Sequence, residues 1–328
     1  MTSAGNTRPH SGKDLTMNIA MGCMGLSGPY GKTNDDESIR VIHAALERGV
    51  NLLDTGDFYA SGHNELLVGK AIAGRRDQVR LSVKFGVMLG ADRSWGGIDA
   101  RPAALKNFLA YSLVRLGTDH VDVYRPARLD PAVPIEDTVG AIADLVKAGY
   151  VRAIGLSEVG PETIRRAAKV HPISDLQIEY SIASRGPEGE IFPLLDELGI
   201  GATLYGVLSR GLLSASPLKP GDARAHMPRF SKENAATNEK LVSGLVGLAR
   251  RWGITPSQLA IGWVLARVPR LTPLLGMRTL QQLDEALSAR PLSADQLAEV
   301  EAIAPASAFA GTRYPPAHMA ALDSEKSG

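Results

Sequence analysis

The sequence predicts an α/β protein, a (β/α)8 TIM barrel with extra helices and long loops on its C-terminal face. Three observations point there. Four segments repeat one rhythm of amphipathic helix, glycine and short apolar run: AALERGVNLLD (44–54), ADLVKAGYVRAIGLS (143–157), PLLDELGIGATLY (193–205) and LARRWGIT (248–255). The strand candidates are short and apolar over most of their length, as parallel strands covered on both faces require. Eight of them alternate with eight helices, which favours a barrel over an open doubly wound sheet. Neither a GxGxxG between strand and helix nor a GxxxxGKS/T is present, so a Rossmann domain is not expected.

In chain order, an early strand near Ile19–Cys23 precedes a helix over 34–48. Asp35, Asp36 and Glu37 fill its first turn, where the helix dipole favours anions, and Ile39, Ile42 and Leu46 recur at helical spacing. Strands follow at Leu52–Asp54, Val79–Lys84, Val121–Tyr124, Arg152–Leu156, Leu176–Ile178, Ala202–Tyr205 and Leu271–Leu275. The remaining helices are expected near 64–73, 101–116, 136–148, 161–170, 188–198, 256–267 and 279–287. Gly49, Gly149, Gly199 and Gly253 suit the left-handed position just past a helix end. Helices near 239–252 and 293–304 and a Pro-rich loop, 214–230, fall outside the eightfold pattern. A loop of that length reads as a functional lid or as disorder. The barrel domain is expected over 14–319, between loose tails at 1–13 and 320–328.

Composition narrows the function classes. The chain has 328 residues, 44% of them hydrophobic and 22% charged, as in ordinary soluble globular proteins. Its formal net charge of +1, from 36 basic and 35 acidic residues, gives no electrostatic drive toward nucleic acid or an anionic membrane. Cys23 is the only cysteine, which excludes an intrachain disulfide and a Cys-built metal site. The seven histidines are scattered without ligand spacing, so no metal is expected. The start lacks the apolar core of a secretory signal, and no run approaches the roughly 18 apolar residues of a membrane span. A cytoplasmic protein follows, with a small molecule as its partner and a monomer as the default state.

Barrel chemistry lives at the C-terminal ends of the strands. There the sequence places Asp54 and Tyr59 after the second strand and Lys84 at the end of the third. Tyrosine has an unperturbed pKa near ~10, too high for easy proton donation near neutrality, and a nearby ammonium lowers it by stabilising the phenolate. Aspartate paired with that lysine keeps it charged and oriented. The three together make a general acid able to protonate a developing alkoxide, which suits carbonyl reduction by hydride. A barrel hydrolase built on Asp54 and Asp57 needs both carboxylates to point inward, and Lys84 argues against it.

At this point a resemblance is plain. LLDTGDFYASGHNELLVGKAI, LSVKFG, VRAIGLSEVG, QIEYS, LSRGLLS and GMRTLQQLDEAL occur in this order, and the set resembles the aldo-keto reductase superfamily over roughly residues 17–315. The resemblance implies a barrel that binds a nicotinamide cofactor in extended form, usually NADPH, with NADH possible. It implies Tyr59 as general acid with Lys84 and Asp54 as tuning partners. Ser157 and Gln177 would hold the nicotinamide carboxamide, and Tyr205 would stack on the ring. Leu208, Ser209, Arg210 and Gly211 would run over the pyrophosphate. The last β–α turn, with Gly276, Arg278 and Gln282, would hold the adenosine end.

Three departures from the family pattern stand out. Glu158 replaces the usual Asn after the carboxamide-binding Ser. Gly276 and Gln282 stand where some branches carry Lys and Arg near the 2′-phosphate, with Arg278 as the natural substitute, and Ala286 replaces an adenine-side Asn. In VYRPARLDP (123–131), the tetrad histidine of the family motif Y-x-x-H-R-x-D is Ala127, which marks a branch lacking it. Losing one preorganised donor costs on the order of 3 kcal/mol, or roughly a hundredfold in turnover. Strand alternation puts residues 125 and 127 on one face, so Arg125 or Arg128 is expected to supply the missing donor, or else a water or a larger substrate fills the space. The other reading of Arg128 is a loop salt bridge to Asp130.

The expected activity is NADPH-dependent reduction of an aldehyde or ketone, with a bulky ring ketone among the candidates. The alternatives are a pyridoxal-type aldehyde reductase and, in another class, a cofactor-binding sensor with little turnover. Substrate walls are sought in the loops: Tyr30, Phe58, Trp95 and Tyr314, beside Arg125, Ala127 and Arg128.

Overall fold

The computed structural model describes residues 19–28, 31, 33–218 and 222–326. In chain order the elements are β1 (Ala20–Gly22), α1 (Asp35–Glu47), β2 (Leu52–Gly56), α2 (His63–Ile72), β3 (Arg80–Phe85), β4 (Val87–Leu89), β5 (Trp95–Ile98) and α3 (Pro102–Leu116). Then come β6 (Val121–Pro126), α4 (Ile135–Lys147), β7 (Val151–Ser157), α5 (Pro161–Val170), β8 (Ile173–Glu179), α6 (Ile191–Leu198) and β9 (Gly201–Tyr205). The chain ends with α7 (Lys232–Arg251), α8 (Pro256–Arg267), β10 (Thr272–Leu275), α9 (Leu280–Ser288), α10 (Ala294–Ile303) and α11 (Pro316–Ala320).

Eight strands close a parallel ring in the order β1-β10-β9-β8-β7-β6-β3-β2, which is the (β/α)8 barrel the sequence predicts. The four glycines picked out by the repeated rhythm have φ of 86°, 87°, 66° and 67° (Gly49, Gly149, Gly199, Gly253), so each does end its helix in the left-handed region. Asn34 caps α1 by accepting a hydrogen bond from the Glu37 N–H at 2.9 Å.

Strand alternation splits the side chains in two. Leu53, Leu81, Tyr124, Leu156, Ile178 and Leu204 are fully buried within the hydrophobic core. Each such large side chain contributes about 1.5–3 kcal/mol on leaving water. The alternate positions carry Asp54, Ser82, Lys84, Arg125, Asp175, Gln177 and Thr203, which bond to one another across the barrel interior. Burying polar groups is tolerated where they find partners, as nearly all of these do. Among the described residues Arg125 Nε is the exception in this layer, on which the functional site is built.

Two regions differ from the sequence expectation. Residues 87–98 form a hairpin, β4 against β5, so Trp95 stands on a strand where the sequence suggests a loop. Residues 320–326 are not a loose tail. Leu322 is buried, and the Asp323 carboxylate accepts from the Gly160 N–H (2.9 Å) and the Thr163 hydroxyl (2.7 Å). α5 has no side-chain cap of its own, and Asp323 supplies one from far along the chain. Tail 1–13 and Tyr30 lie outside the described residues. Among the described residues no helix is long and apolar enough to cross a membrane, and no group of three or more His, Cys, Asp or Glu side chains is placed to hold a metal ion.

Candidate active site

Register places the first two site residues. β2 and β3 pair so that Asp54 lies beside Ser82 and Gly56 beside Lys84. Two residues on, the same alternation turns Lys84 inward above Asp54, and the ammonium forms a buried ion pair with Asp54 Oδ1. Asp54 Oδ2 accepts from Ser82 Oγ and from Gln177 Nε2, both at 2.8 Å, the latter reaching across the barrel from β8. Lys84 Nζ also donates to the Thr55 carbonyl at 3.2 Å. Burial lowers the Lys84 pKa; Asp54 opposes that shift and the nearby Arg125 charge adds to it.

Lys84 Nζ sits 4.9 Å from the centroid of the Tyr59 ring. Tyr59 opens a short 3-10 turn (Tyr59–Gly62) just past β2 and is half-buried, with the Phe58 ring edge-on at 4.8 Å. The turn bends sharply: Ala60 and Ser61 hold φ of 48° and 53°, a left-handed conformation that costs a non-glycine residue about 1–3 kcal/mol. Beneath the site, burial pushes the Cys23 thiol up to about 12, with Asp54 adding to the shift, so Cys23 is inert as a nucleophile.

Arg125 does not reach the mouth. Its guanidinium is fully buried inside the barrel and forms a two-pronged pair with Asp175 (3.1 and 3.0 Å), while donating to Ser82 Oγ (3.0 Å) and the Leu156 carbonyl (3.2 Å). The expectation that Arg125 stands in for the missing donor or lines the substrate pocket is therefore corrected. A buried guanidinium must find a carboxylate, and Asp175 on β8 supplies it. Gly155 makes the room, since a Cβ there would lie 2.9 Å from Arg125 Cζ.

Ala127 is buried at the top of β6, and its N–H donates to the Phe85 carbonyl at 2.8 Å. Arg128 follows, half-buried, and among the described residues its one hydrogen bond runs from NH1 to the Ala127 carbonyl at 2.6 Å. The salt bridge to Asp130 does not form: the Asp130 oxygens accept from the Ala100 N–H (3.0 Å) and the Ala132 N–H (2.9 Å). Arg128 instead faces Tyr205, Tyr314 and Glu158, whose proximity raises its pKa against the opposing effect of burial.

The proposed cofactor positions divide in the same way. Ser157 Oγ is buried without a hydrogen-bond partner among the described residues, an open valence at the end of β7. Gln177 is committed to Asp54, with a second contact to Thr203 Oγ1 at 3.3 Å. Ser209 is buried under Arg229, Leu208 and Gly211 are half-buried, and Arg210 lies 4.4 Å over the Tyr314 ring while donating to the Arg313 carbonyl (3.1 Å). Gly276 and Gln282 are exposed at the top of β10, and Arg278 is half-buried beside them. The Gln282 side-chain oxygen, Oε1, accepts from the Arg278 N–H at 2.8 Å while Thr279 caps α9, so Gln282 shapes the turn. Ala286 is buried in α9 and presents no polar group.

Sequence reasoning missed the partner of Glu158. Glu158 has φ of 54° and its carboxylate is fully buried, gripped by both terminal nitrogens of Arg313 and by Ser324 Oγ at 2.7 Å. Burial alone would raise its pKa, but Arg313 holds the carboxyl at about 2. Arg313 NH1 also donates to the Tyr205 hydroxyl (3.2 Å), which meets the Tyr314 hydroxyl at 3.1 Å. The C-terminal segment is thus tied to Glu158, which follows Ser157, and to the candidate stacking ring. Beyond it, Tyr314, His318 and the exposed Trp95 stand in a row, with ring centroids 6.4 Å and 6.2 Å apart.

The sequence model of the Aldo/keto reductase family matches residues 18–305. The chain is 38% identical over 307 residues to a probable aldo-keto reductase 1 of Glycine max, covering 90% of this chain and 88% of that one. Among solved structures, the glycerol dehydrogenase of Gluconobacter oxydans superposes with a TM-score of 0.79 at 28% identity, over 87% of this chain and 90% of that one. An aldo-keto reductase of Bacillus halodurans, solved in its holo form, gives 0.75 at 30% identity, over 88% and 93%. The chain belongs to the aldo/keto reductase family and is a nicotinamide-dependent oxidoreductase acting on carbonyl compounds.

Proposed function

We propose that this member of the aldo/keto reductase family reduces an aldehyde or ketone with NADPH, and that Tyr59 is the proton donor. The observation that carries this reading is the stack of Asp54, Lys84 and Tyr59. A buried ammonium paired with a carboxylate lies 4.9 Å from the centroid of a half-buried phenol ring. When bound, the nicotinamide supplies the hydride. As negative charge develops on the substrate oxygen, Tyr59 gives up its proton to it. Lys84 stabilises the phenolate left behind, and Asp54 keeps the ammonium oriented.

The cofactor assignment draws on the buried, unpartnered Ser157 Oγ, a hydrogen-bonding group at the position where the carboxamide is expected. Tyr205, fixed by Arg313 and Tyr314, is the platform for the ring. Arg278, beside the exposed Gly276 and Gln282, is a guanidinium at the turn where a 2′-phosphate is expected, which fits NADPH. Without a histidine at Ala127, the reacting oxygen rests on Tyr59, and the remaining cation at the end of β6 is Arg128.

NADPH oxidation measured across a panel of aldehydes and ketones, beside Tyr59→Phe, tests this. Removal of the acid should lower turnover by about 10²–10⁴-fold while NADPH still quenches intrinsic fluorescence in both proteins. Equal turnover in Tyr59→Phe would overturn the assignment of the acid.

A further inference from the structure

We propose that Arg128 is a recognition site for an anionic group on the substrate, a carboxylate or phosphate carried by the same molecule as the carbonyl. The proposal rests on the reductase reading above and names the substrate class for it.

The case begins with a census of the arginines around the mouth. Arg125 has Asp175, Arg313 has Glu158 and Glu325, Arg210 faces Glu179 at 3.5 Å, and Arg229 faces Glu179 at 3.7 Å. Arg128 alone of these has no carboxylate within 4.0 Å among the described residues, and it donates only to a backbone carbonyl. The two carboxylates best placed to neutralise it are already used. Asp130, two residues on, accepts from two backbone N–H groups, and Glu158 is gripped by Arg313 and Ser324. Arg128, Arg210, Arg229 and Arg313 stand against Glu158, Glu179 and Glu325, four cations to three anions, which leaves one positive charge at the mouth.

Location turns the surplus charge into a site. Arg128 immediately follows Ala127, a small buried residue at the end of β6, and it faces Tyr205 and Tyr314. Glu158 acts on Arg128 only from beyond contact distance, so the planar fork has no carboxylate bonded to it and fits a carboxylate or phosphate edge. The row of Tyr314, His318 and Trp95, whose neighbouring rings are inclined at 75° and 51°, offers aromatic edges and faces to the rest of such a substrate.

Two matched substrate pairs test the proposal: 4-formylbenzoate against its methyl ester, and pyridoxal 5′-phosphate against pyridoxal. For the wild type, kcat/KM should favour the charged member of at least one pair by about tenfold to a hundredfold, the range of a charge-assisted hydrogen bond. Preference in the first pair alone assigns a carboxylate, in the second alone a phosphate. The ratio should collapse toward one in Arg128→Met and recover in part in Arg128→Lys. If Arg128→Met does not fold, as NADPH titration would reveal, inhibition of the wild type by 4-(hydroxymethyl)benzoate against its methyl ester decides. Stronger inhibition by the acid supports the site. Equal or better use of the neutral members, or an unchanged ratio in Arg128→Met, overturns the proposal and leaves the reductase reading standing. No NADPH oxidation with any carbonyl compound overturns both.

Discussion

Arg125 and Arg128 sit three residues apart in one strand end, yet they live in different electrostatic worlds. Arg125 lies inside the barrel with a two-pronged carboxylate, a hydroxyl and a carbonyl around it. Arg128 lies at the mouth with a single backbone carbonyl. The interior layer is closed: Lys84 with Asp54 and Arg125 with Asp175 match charge for charge. The mouth is left open by one charge. An interior group without a partner destabilises the fold, whereas an unmatched group at the mouth waits for a ligand.

The largest effect should come from breaking the interior. Asp175→Ala leaves the Arg125 guanidinium buried and uncompensated, and urea unfolding should show a loss of about 3–5 kcal/mol. A loss below about 1 kcal/mol, the range of exposed ion pairs, would mean that the interior pair is no different from a surface one.

Lys84→Met keeps much of the volume and removes the charge beside Tyr59. Turnover should fall by about a hundredfold or more, the scale of general acid catalysis. The alkaline limb of the kcat/KM profile should move upward, because the phenol loses the cation that stabilises its ionised form. An unmoved limb would remove Lys84 from the proton-transfer machinery.

Two carboxyl groups sharpen the contrast through pH, with opposite signs. Glu158 is held at about 2 by Arg313 against its burial, below its ordinary carboxylate value. Its contribution is fully present above the unfolded pKa of about 4.3 and is lost as pH falls toward the folded value. The stability difference between wild type and Glu158→Gln should therefore narrow between about pH 5 and pH 2. Asp57 is the reverse: burial, then the Glu65 charge, pushes it up to about 7, and its Oδ1 has no hydrogen-bond partner among the described residues. The folded state holds that proton after the unfolded chain has lost it, so stability falls as pH rises from about 4 to 7. Asp57→Asn should flatten this slope in urea titrations across the same window.

The smallest effect on stability belongs to the mouth. Arg128→Met should change unfolding free energy by less than about 0.5–1 kcal/mol, because no buried carboxylate is orphaned. A loss comparable to that of Asp175→Ala would show a structural arginine.

Much of this was legible from the sequence because it depends on local period. Alternation along β2 and β3 puts Asp54 and Lys84 on one face, and the ion pair follows from register. Helix ends were legible through glycine, and strands through short apolar runs. Alternation also told which way Arg125 points, but not how deep its guanidinium would lie. That depends on Asp175 and on the space left by Gly155, both on other strands. The Glu158–Arg313 pair joins residues 155 apart, and nothing in the local pattern of either residue announces the other. The hairpin at 87–98 hid because its two strands are only three and four residues long and two glycines, Gly96 and Gly97, sit in the second, which carries the signal of any loop.

A crystal structure with NADP+ and 4-(hydroxymethyl)benzoate tests the difference between interior and mouth most directly. The alcohol oxygen should lie against the Tyr59 hydroxyl and the carboxylate within about 3 Å of the Arg128 guanidinium, with the Arg125–Asp175 pair undisturbed. A carboxylate bound elsewhere, with Arg128 turned to a protein carboxylate, would contradict it.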